Sequence, residues 1–154
     1  MATTRPVRPD ERDEVPDLYG MLFEEPQQRT AAVEAAWETL QADDSTVLLG
    51  VEHEGQLVST CQLSIIPSVT HGGQPFGVIE YVVTHEDWRG EGFGTRCVEA
   101  AISRAHEADC YKVLLQTGRS EPRVHDFYEQ CGFDPDAKTG YSLRLDEYGQ
   151  LDRL

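Results

Sequence analysis

The chain reads as one mixed α/β (α+β) domain over residues 1–154, with elements in the order β-α-α-β-β-β-α-β-α-β. Three observations point there. The run Val78-Ile79-Glu80-Tyr81-Val82-Val83 is rich in β-branched and aromatic residues, as a buried strand is. A glycine-rich turn follows it, and then Phe93, Cys97, Ala101 and Ala105 recur every fourth residue, the period of a helix with one apolar face. Two further β-rich runs flank His53-Glu54-Gly55, which reads as a hairpin.

Taken in order, Thr4 to Val7 supports a short strand. Asp10 can cap a helix running to about Phe23, although Pro16 limits how it starts. Thr30 to Leu40 predicts a second helix with Val33, Trp37 and Leu40 on one side, and Asp43-Asp44-Ser45 breaks it. Thr46 to Glu52 and Gln56 to Ile66 are the hairpin strands. Pro67 to Pro75, with Gly72 and Gly73, is a loop, and Phe76 packs at its edge. After the central strand, Trp88 packs under the glycine turn. Tyr111 to Thr117 predicts another strand. Arg123 to Cys131 predicts a short helix ended by Gly132. Tyr141 to Leu145 closes the order as a last strand.

Composition narrows the function. The length of 154 residues suits one domain with a real core, and 39% of residues are hydrophobic. No apolar run is long enough to cross a bilayer, and no secretory leader is visible, so no membrane partner is expected. The formal net charge of −15 at pH 7 argues against a nucleic-acid partner, whose phosphates would be repelled. Cys61, Cys97, Cys110 and Cys131 are widely spaced with no metal-ligand pattern. They read as reduced thiols in a cytoplasmic protein that needs no metal. Lys112 and Lys138 are the only lysines, and acidic residues are spread along the chain. That suits either a salt-rich cytoplasm, where screening removes self-repulsion, or an ordinary acidic protein. Neither the composition nor a motif excludes a homodimer.

The chemistry gathers at Arg89-Gly90-Glu91-Gly92-Phe93-Gly94. Glycines at the mouth of a helix let backbone approach a ligand, and the helix start offers unpaired N–H groups and partial positive charge. Together these make a phosphate site; the plainer alternative is a structural strand-to-helix turn. The dinucleotide fingerprint is absent, because Cys97 stands where its third glycine belongs. The nucleotide P-loop is absent for want of a lysine, which sets a phosphotransferase aside.

The segment Arg89-x-x-Gly92-x-Gly94 resembles the signature of the GNAT superfamily of acyl-CoA-dependent N-acetyltransferases. Phe127-Tyr128-Glu129-Gln130-Cys131-Gly132-Phe133 resembles that family's second signature. Ile79-Glu80-Tyr81-Val82-Val83 and Cys110-Tyr111-Lys112 are locally similar to the glucosamine-6-phosphate N-acetyltransferase branch, which carries an acidic residue where this chain has Tyr81. The resemblance implies a central mixed sheet, splayed beside the middle strand and flanked by helices, and acetyl-CoA as co-substrate. It puts pantetheine along Val82, Val83 and Thr84. The pyrophosphate falls at Arg89, Gly90, Glu91, Gly92, Phe93, Gly94 and Thr95, with Phe127 also at the cofactor. The acceptor implied is a primary amine of a small molecule or peptide.

Tyr128 is then the acid for the leaving thiolate, or else a tyrosine that packs its helix. Glu80, in an otherwise apolar strand, reads as a partly desolvated base with a raised pKa or as a hydrogen-bonded structural carboxylate. His71, His85 and His125 are rival bases in loops or helix starts. A non-catalytic acyl-CoA-binding sensor or interaction module is the competing functional class.

Overall fold

The computed structural model describes residues 1–146. They fall into two compact units, Met1–Thr117 and the residues from Gly118 onward. The first unit holds strands β1 (Ala2–Pro6), β2 (Thr46–His53), β3 (Gln56–Ile66), β4 (Phe76–Thr84) and β5 (Val113–Leu115). Its helices are α1 (Glu14–Phe23), α2 (Ala31–Ala42) and α3 (Phe93–Glu107), and the second unit carries α4 (Pro122–Gln130). The sheet order follows the sequence, β1-β2-β3-β4-β5. The first four strands are antiparallel neighbours, and β5 is parallel to β4. The expected mixed sheet flanked by helices is therefore present.

Helices cover both faces. Cys61 of β3 meets Cys97 of α3 at 3.5 Å between sulfurs. Its neighbour Gln62 points the other way, as alternate strand residues must, into a cleft bounded by α1 and α2. On that second face Val15 and Leu18 of α1 join Val7, Leu48, Leu57 and Val83, with Trp37 and Leu40 of α2 against them. Gly50 sits in this layer because nothing larger fits: an added Cβ would lie 2.5 Å from Leu57 and 3.2 Å from Val7. The α3 stripe behaves as its period predicts, with Phe93, Cys97, Ala101 and Ala105 all buried and Val98 beside them.

An ion-pair network ties the chain start to the root of α1. Arg5 donates to both oxygens of Glu11 at 2.7 and 3.1 Å, and Arg8 N–H adds a bond at 2.8 Å. Burial pushes the Glu11 carboxyl up, but these bonds outweigh it and hold the group below the usual carboxylate range.

Three local expectations need correction. The first helix is split: Pro9–Glu11 form a 3-10 turn, and α1 starts later with Asp13 as its N-cap. Pro16 tolerates this because it stays within the first turn, where no ladder bond is lost. β5 is shorter than Tyr111 to Thr117, since only Val113–Leu115 find partners on β4. Phe76, expected at the loop edge, is the first residue of β4 and packs edge-on against Tyr111 with centroids 6.4 Å apart. Tyr141 to Leu145 forms no strand: the alternation is there, but no strand among the described residues pairs with it, and Tyr141, Leu143 and Leu145 are exposed.

Candidate functional site

The middle of β4 is irregular in a way that creates an opening. Thr60 pairs with Val83 and Gln62 with Glu80, so Cys61 faces two residues, Tyr81 and Val82. One residue too many makes a β-bulge, which leaves it outside the ladder and bends the strand. Tyr81 absorbs the geometry with φ 56, a left-handed conformation uncommon for a bulky residue. Its ring is held by Tyr19 and Phe23 of α1, with centroids 5.5 and 6.1 Å away. Burial raises the Tyr19 phenol well above its ordinary value, so Tyr19 stays neutral.

The other edge of β4 is open over the same stretch. β5 pairs only with Gly77, Val78 and Ile79. From Glu80 to Thr84 no strand among the described residues covers that edge. Backbone amides of an extended ligand can pair there as a neighbouring strand would.

The end of β4 is tied down. The Ser59 hydroxyl donates to Val83 O at 3.0 Å, and its oxygen lies 3.1 Å from that of Thr84. Arg89 Nε donates to Thr84 O at 3.1 Å, which fixes the loop against the strand. Gly90 and Gly92 then take φ 81 and 86, and Gly92 is the N-cap of α3. The bond from Arg96 N–H to Gly92 O at 3.1 Å opens the helix ladder. The N–H groups of Phe93, Gly94 and Thr95 precede it and carry the positive end of the helix dipole. Nothing lies within 4 Å of a Cβ added at Gly90 or Gly92, so the space in front of the loop is free. Beneath it, His53 is packed between Trp88 and Phe93, with ring centroids 4.9 and 5.0 Å away.

The expected cofactor residues of the first unit are thus consecutive along one path. Val82, Val83 and Thr84 line the open edge, and Arg89, Gly90, Glu91, Gly92, Phe93, Gly94 and Thr95 form the turn and first helical residues. Val83 and Phe93 are buried, at 4% and 8% exposure, so both can offer a ligand only backbone. Glu80 corrects an expectation: paired with Gln62 it lies on the face opposite to that of Ile79, and its side chain is exposed although its neighbours along the strand are apolar. Tyr128 and Phe127 belong to the second unit. There the half-buried Tyr128 ring makes edge contacts with Phe127 and Phe133 at 5.0 and 6.2 Å.

The rival histidines have structural work. His85 Nδ1 accepts from Asp87 N–H at 3.1 Å, His71 stacks on Tyr111 at 3.8 Å, and His125 Nε2 lies 2.9 Å from Arg119 O. Among the described residues no group of three or more His, Cys, Asp or Glu could hold a metal ion, and no helix is long and apolar enough to cross a membrane. Sequence reasoning missed Tyr81 as the bulge and Tyr19 as its support. The available signal was Glu80-Tyr81 itself, two polar-capable residues in succession within an apolar strand.

Comparison with known proteins gives this arrangement a family. The sequence model of the acetyltransferase (GNAT) family matches residues 12–133. The structure of a putative acetyltransferase from Agrobacterium tumefaciens str. C58 is 37% identical with a TM-score of 0.86, covering 92% of this chain and 99% of that one. A probable glucosamine 6-phosphate N-acetyltransferase 2 of Oryza sativa subsp. japonica is 33% identical over 94 residues, 59% of this chain and 55% of that protein. A glucosamine 6-phosphate N-acetyltransferase of Trypanosoma brucei brucei is 35% identical over 79 residues, 51% of this chain and 52% of that protein. The chain thus spans about half the length of these two curated relatives.

Proposed function

The chain belongs to the acetyltransferase (GNAT) family, and on that premise we propose that it transfers an acetyl group from acetyl-CoA to a primary amine of a small molecule or peptide, acting as one domain over residues 1–154. The observation that carries this reading is the continuity of β4: a bulge at Tyr81, an uncovered edge to Thr84, and a turn held to Thr84 by Arg89 that ends at the start of α3.

Each part has a chemical task in this reading. N–H groups at the turn and at the first residues of α3 bind the pyrophosphate, and backbone groups of Val82 to Thr84 pair with the pantetheine amides. An N–H near Val82 polarises the thioester carbonyl as negative charge develops on its oxygen. The neutral amine nitrogen forms the new C–N bond, and the C–S bond breaks. Glu80 takes the ammonium proton through water, and Tyr128 gives a proton to the departing thiolate. Holding amine and thioester in line is worth roughly 7–11 kcal/mol of the barrier. The transfer is direct, with neither a metal nor a covalent enzyme intermediate. The curated relatives are named for glucosamine 6-phosphate, which makes a phosphorylated amino sugar one candidate acceptor.

The same proposal includes a cytoplasmic setting, on the four free cysteines, and no nucleic-acid partner, on the net charge of −15. A salt-rich cytoplasm suits that charge; stability that fails to rise with KCl would end this part. A non-catalytic acyl-CoA-binding module is the competing class. Thiol release from acetyl-CoA across a panel of primary amines separates the two. Turnover with some amines supports the enzyme, and acetyl-CoA binding without turnover for any amine supports the module. With a turned-over amine in hand, Glu80→Gln should lower kcat mainly at pH below the amine's pKa, with partial recovery at higher pH. An unchanged pH profile would return Glu80 to a structural role.

A further inference from the structure

We infer that His53 is a positioning residue for acetyl-CoA: its ring braces both ends of the glycine turn and so fixes the N–H groups offered to the pyrophosphate. The inference rests on the acetyl-CoA reading and names a residue outside the glycine motif on which that same site depends.

The turn has little to hold its shape. Arg89, Gly90, Glu91 and Gly92 are all exposed. Gly90 and Gly92 take φ 81 and 86, with nothing within 4 Å of an added Cβ. The bond from Arg89 Nε to Thr84 O ties down its start. A segment this open takes its conformation from what fixes its two ends.

Those ends are Trp88 and Phe93, and His53 touches both. Its ring lies 4.9 Å from Trp88 at 77° and 5.0 Å from Phe93 at 40°, while Trp88 and Phe93 are 6.2 Å apart. Edge-to-face and tilted contacts at such distances are the favourable geometries for aromatic rings. Trp88 closes the 3-10 turn Glu86–Trp88, with its N–H donating to His85 O at 2.9 Å. Phe93 is the first residue of α3 and is buried. The three rings thus lock the residue before the turn to the first residue of the helix.

Strand register brings His53 there. His53 pairs with Gln56 across the β2–β3 hairpin, and His85 N–H donates to Val58 O at 2.7 Å just past β4. The hairpin and the glycine turn therefore share one end of the sheet. On its other side His53 pairs with Ala2, whose carbonyl accepts from Arg96 Nη2 of α3 at 3.0 Å.

The imidazole nitrogens do not hold the ring in place. Nδ1 is buried with no hydrogen-bond partner, and Nε2 is 3.8 Å from Glu54 Oε1, beyond hydrogen-bond reach. A ring seated by its contacts alone can be replaced by a carbon ring. What it supplies is order: the N–H groups stand in place before the cofactor arrives, and no binding energy goes into arranging them.

The test reads acetyl-CoA affinity by calorimetric titration and the shielding of Trp88 by acrylamide quenching. A Trp37→Phe background leaves Trp88 as the only tryptophan. His53→Ala should bind acetyl-CoA about tenfold more weakly and open Trp88 to the quencher. His53→Phe should restore both, and should unfold no earlier than the wild type because it removes an unpaired buried nitrogen. Val98→Ala, which removes buried volume from α3, should keep wild-type affinity. Full affinity in His53→Ala, failure of His53→Phe to restore it, or an equal loss in Val98→Ala would overturn the inference. If the background protein itself binds no acetyl-CoA, the quenching decides. Trp88 opened in His53→Ala and shielded again in His53→Phe upholds the brace and sinks the cofactor reading alone, whereas unchanged quenching overturns the brace.

Discussion

α3 and α2 occupy opposite faces of one sheet, and they are built on different principles. α3 buries Phe93, Cys97, Val98, Ala101 and Ala105, and its first turn follows a glycine held at φ 86. α2 buries nothing and meets the sheet mainly through Trp37 and Leu40. The side assigned to the cofactor is thus set by backbone geometry on a rigid base, which every acyl-CoA needs alike. The α2 side is lined by exposed side chains on a loosely seated helix, where a change comes at small cost to the fold.

The largest effect on turnover should come from outside both helices. Tyr128→Phe keeps the ring and removes the hydroxyl, and kcat should fall about 10–100-fold with acetyl-CoA affinity nearly unchanged. Steady-state kinetics beside a binding titration checks this. A matched loss of affinity and rate would mean that Tyr128 binds cofactor without favouring the transition state.

The contrast between the helices should appear directly in stability. Val98→Ala, at a site with 0% exposure, should cost about 2 kcal/mol in denaturant unfolding. Val33→Ala, at 38% exposure on α2, should cost under about 0.5 kcal/mol. Equal costs would mean that α2 is packed as tightly as α3, and the comparison would fail.

The Arg5–Glu11 pair sharpens it further, because it anchors the root of the layer of α1 and α2. Glu11→Gln should destabilise by about 1–2 kcal/mol at neutral pH. The folded Glu11 carboxyl lies below its unfolded value, so its contribution is complete above the unfolded pKa and disappears as pH falls through the folded one. The wild-type advantage in Tm should therefore narrow in acid. A gap that stays constant down to about pH 3 would show that the charge is irrelevant.

Much of this could be read from residue patterns, and the failures share a cause. The period of Phe93, Cys97, Ala101 and Ala105 and the glycines before them report local geometry, and local geometry survived. So did the hairpin, whose Glu54 and Gly55 take the left-handed conformations that a two-residue turn demands. The bulge at Tyr81 depends on the register between two strands, which neither strand's own pattern contains. Glu80 looked buried because its neighbours are apolar, yet on the face it shares with Gln62 its side chain is exposed. Tyr141 to Leu145 alternates as a strand does, but a strand also needs a partner edge. The place of His53 needed tertiary structure as well, because its ring meets Trp88 and Phe93 only when the β2–β3 hairpin and the glycine turn share one end of the sheet.

The central claim is that the turn before α3 holds the pyrophosphate of acetyl-CoA. Calorimetric titration of acetyl-CoA into the wild-type protein and into Gly92→Val tests it most directly. An added side chain at Gly92 meets nothing within 4 Å in the free protein and would stand in the space that the phosphates need. Its φ of 86 adds strain of about 1–2 kcal/mol for valine, which leaves unfolding cooperative. The account predicts binding by the wild type and a loss of about 100-fold or more in the variant. A folded Gly92→Val protein that binds acetyl-CoA as tightly as the wild type would contradict it.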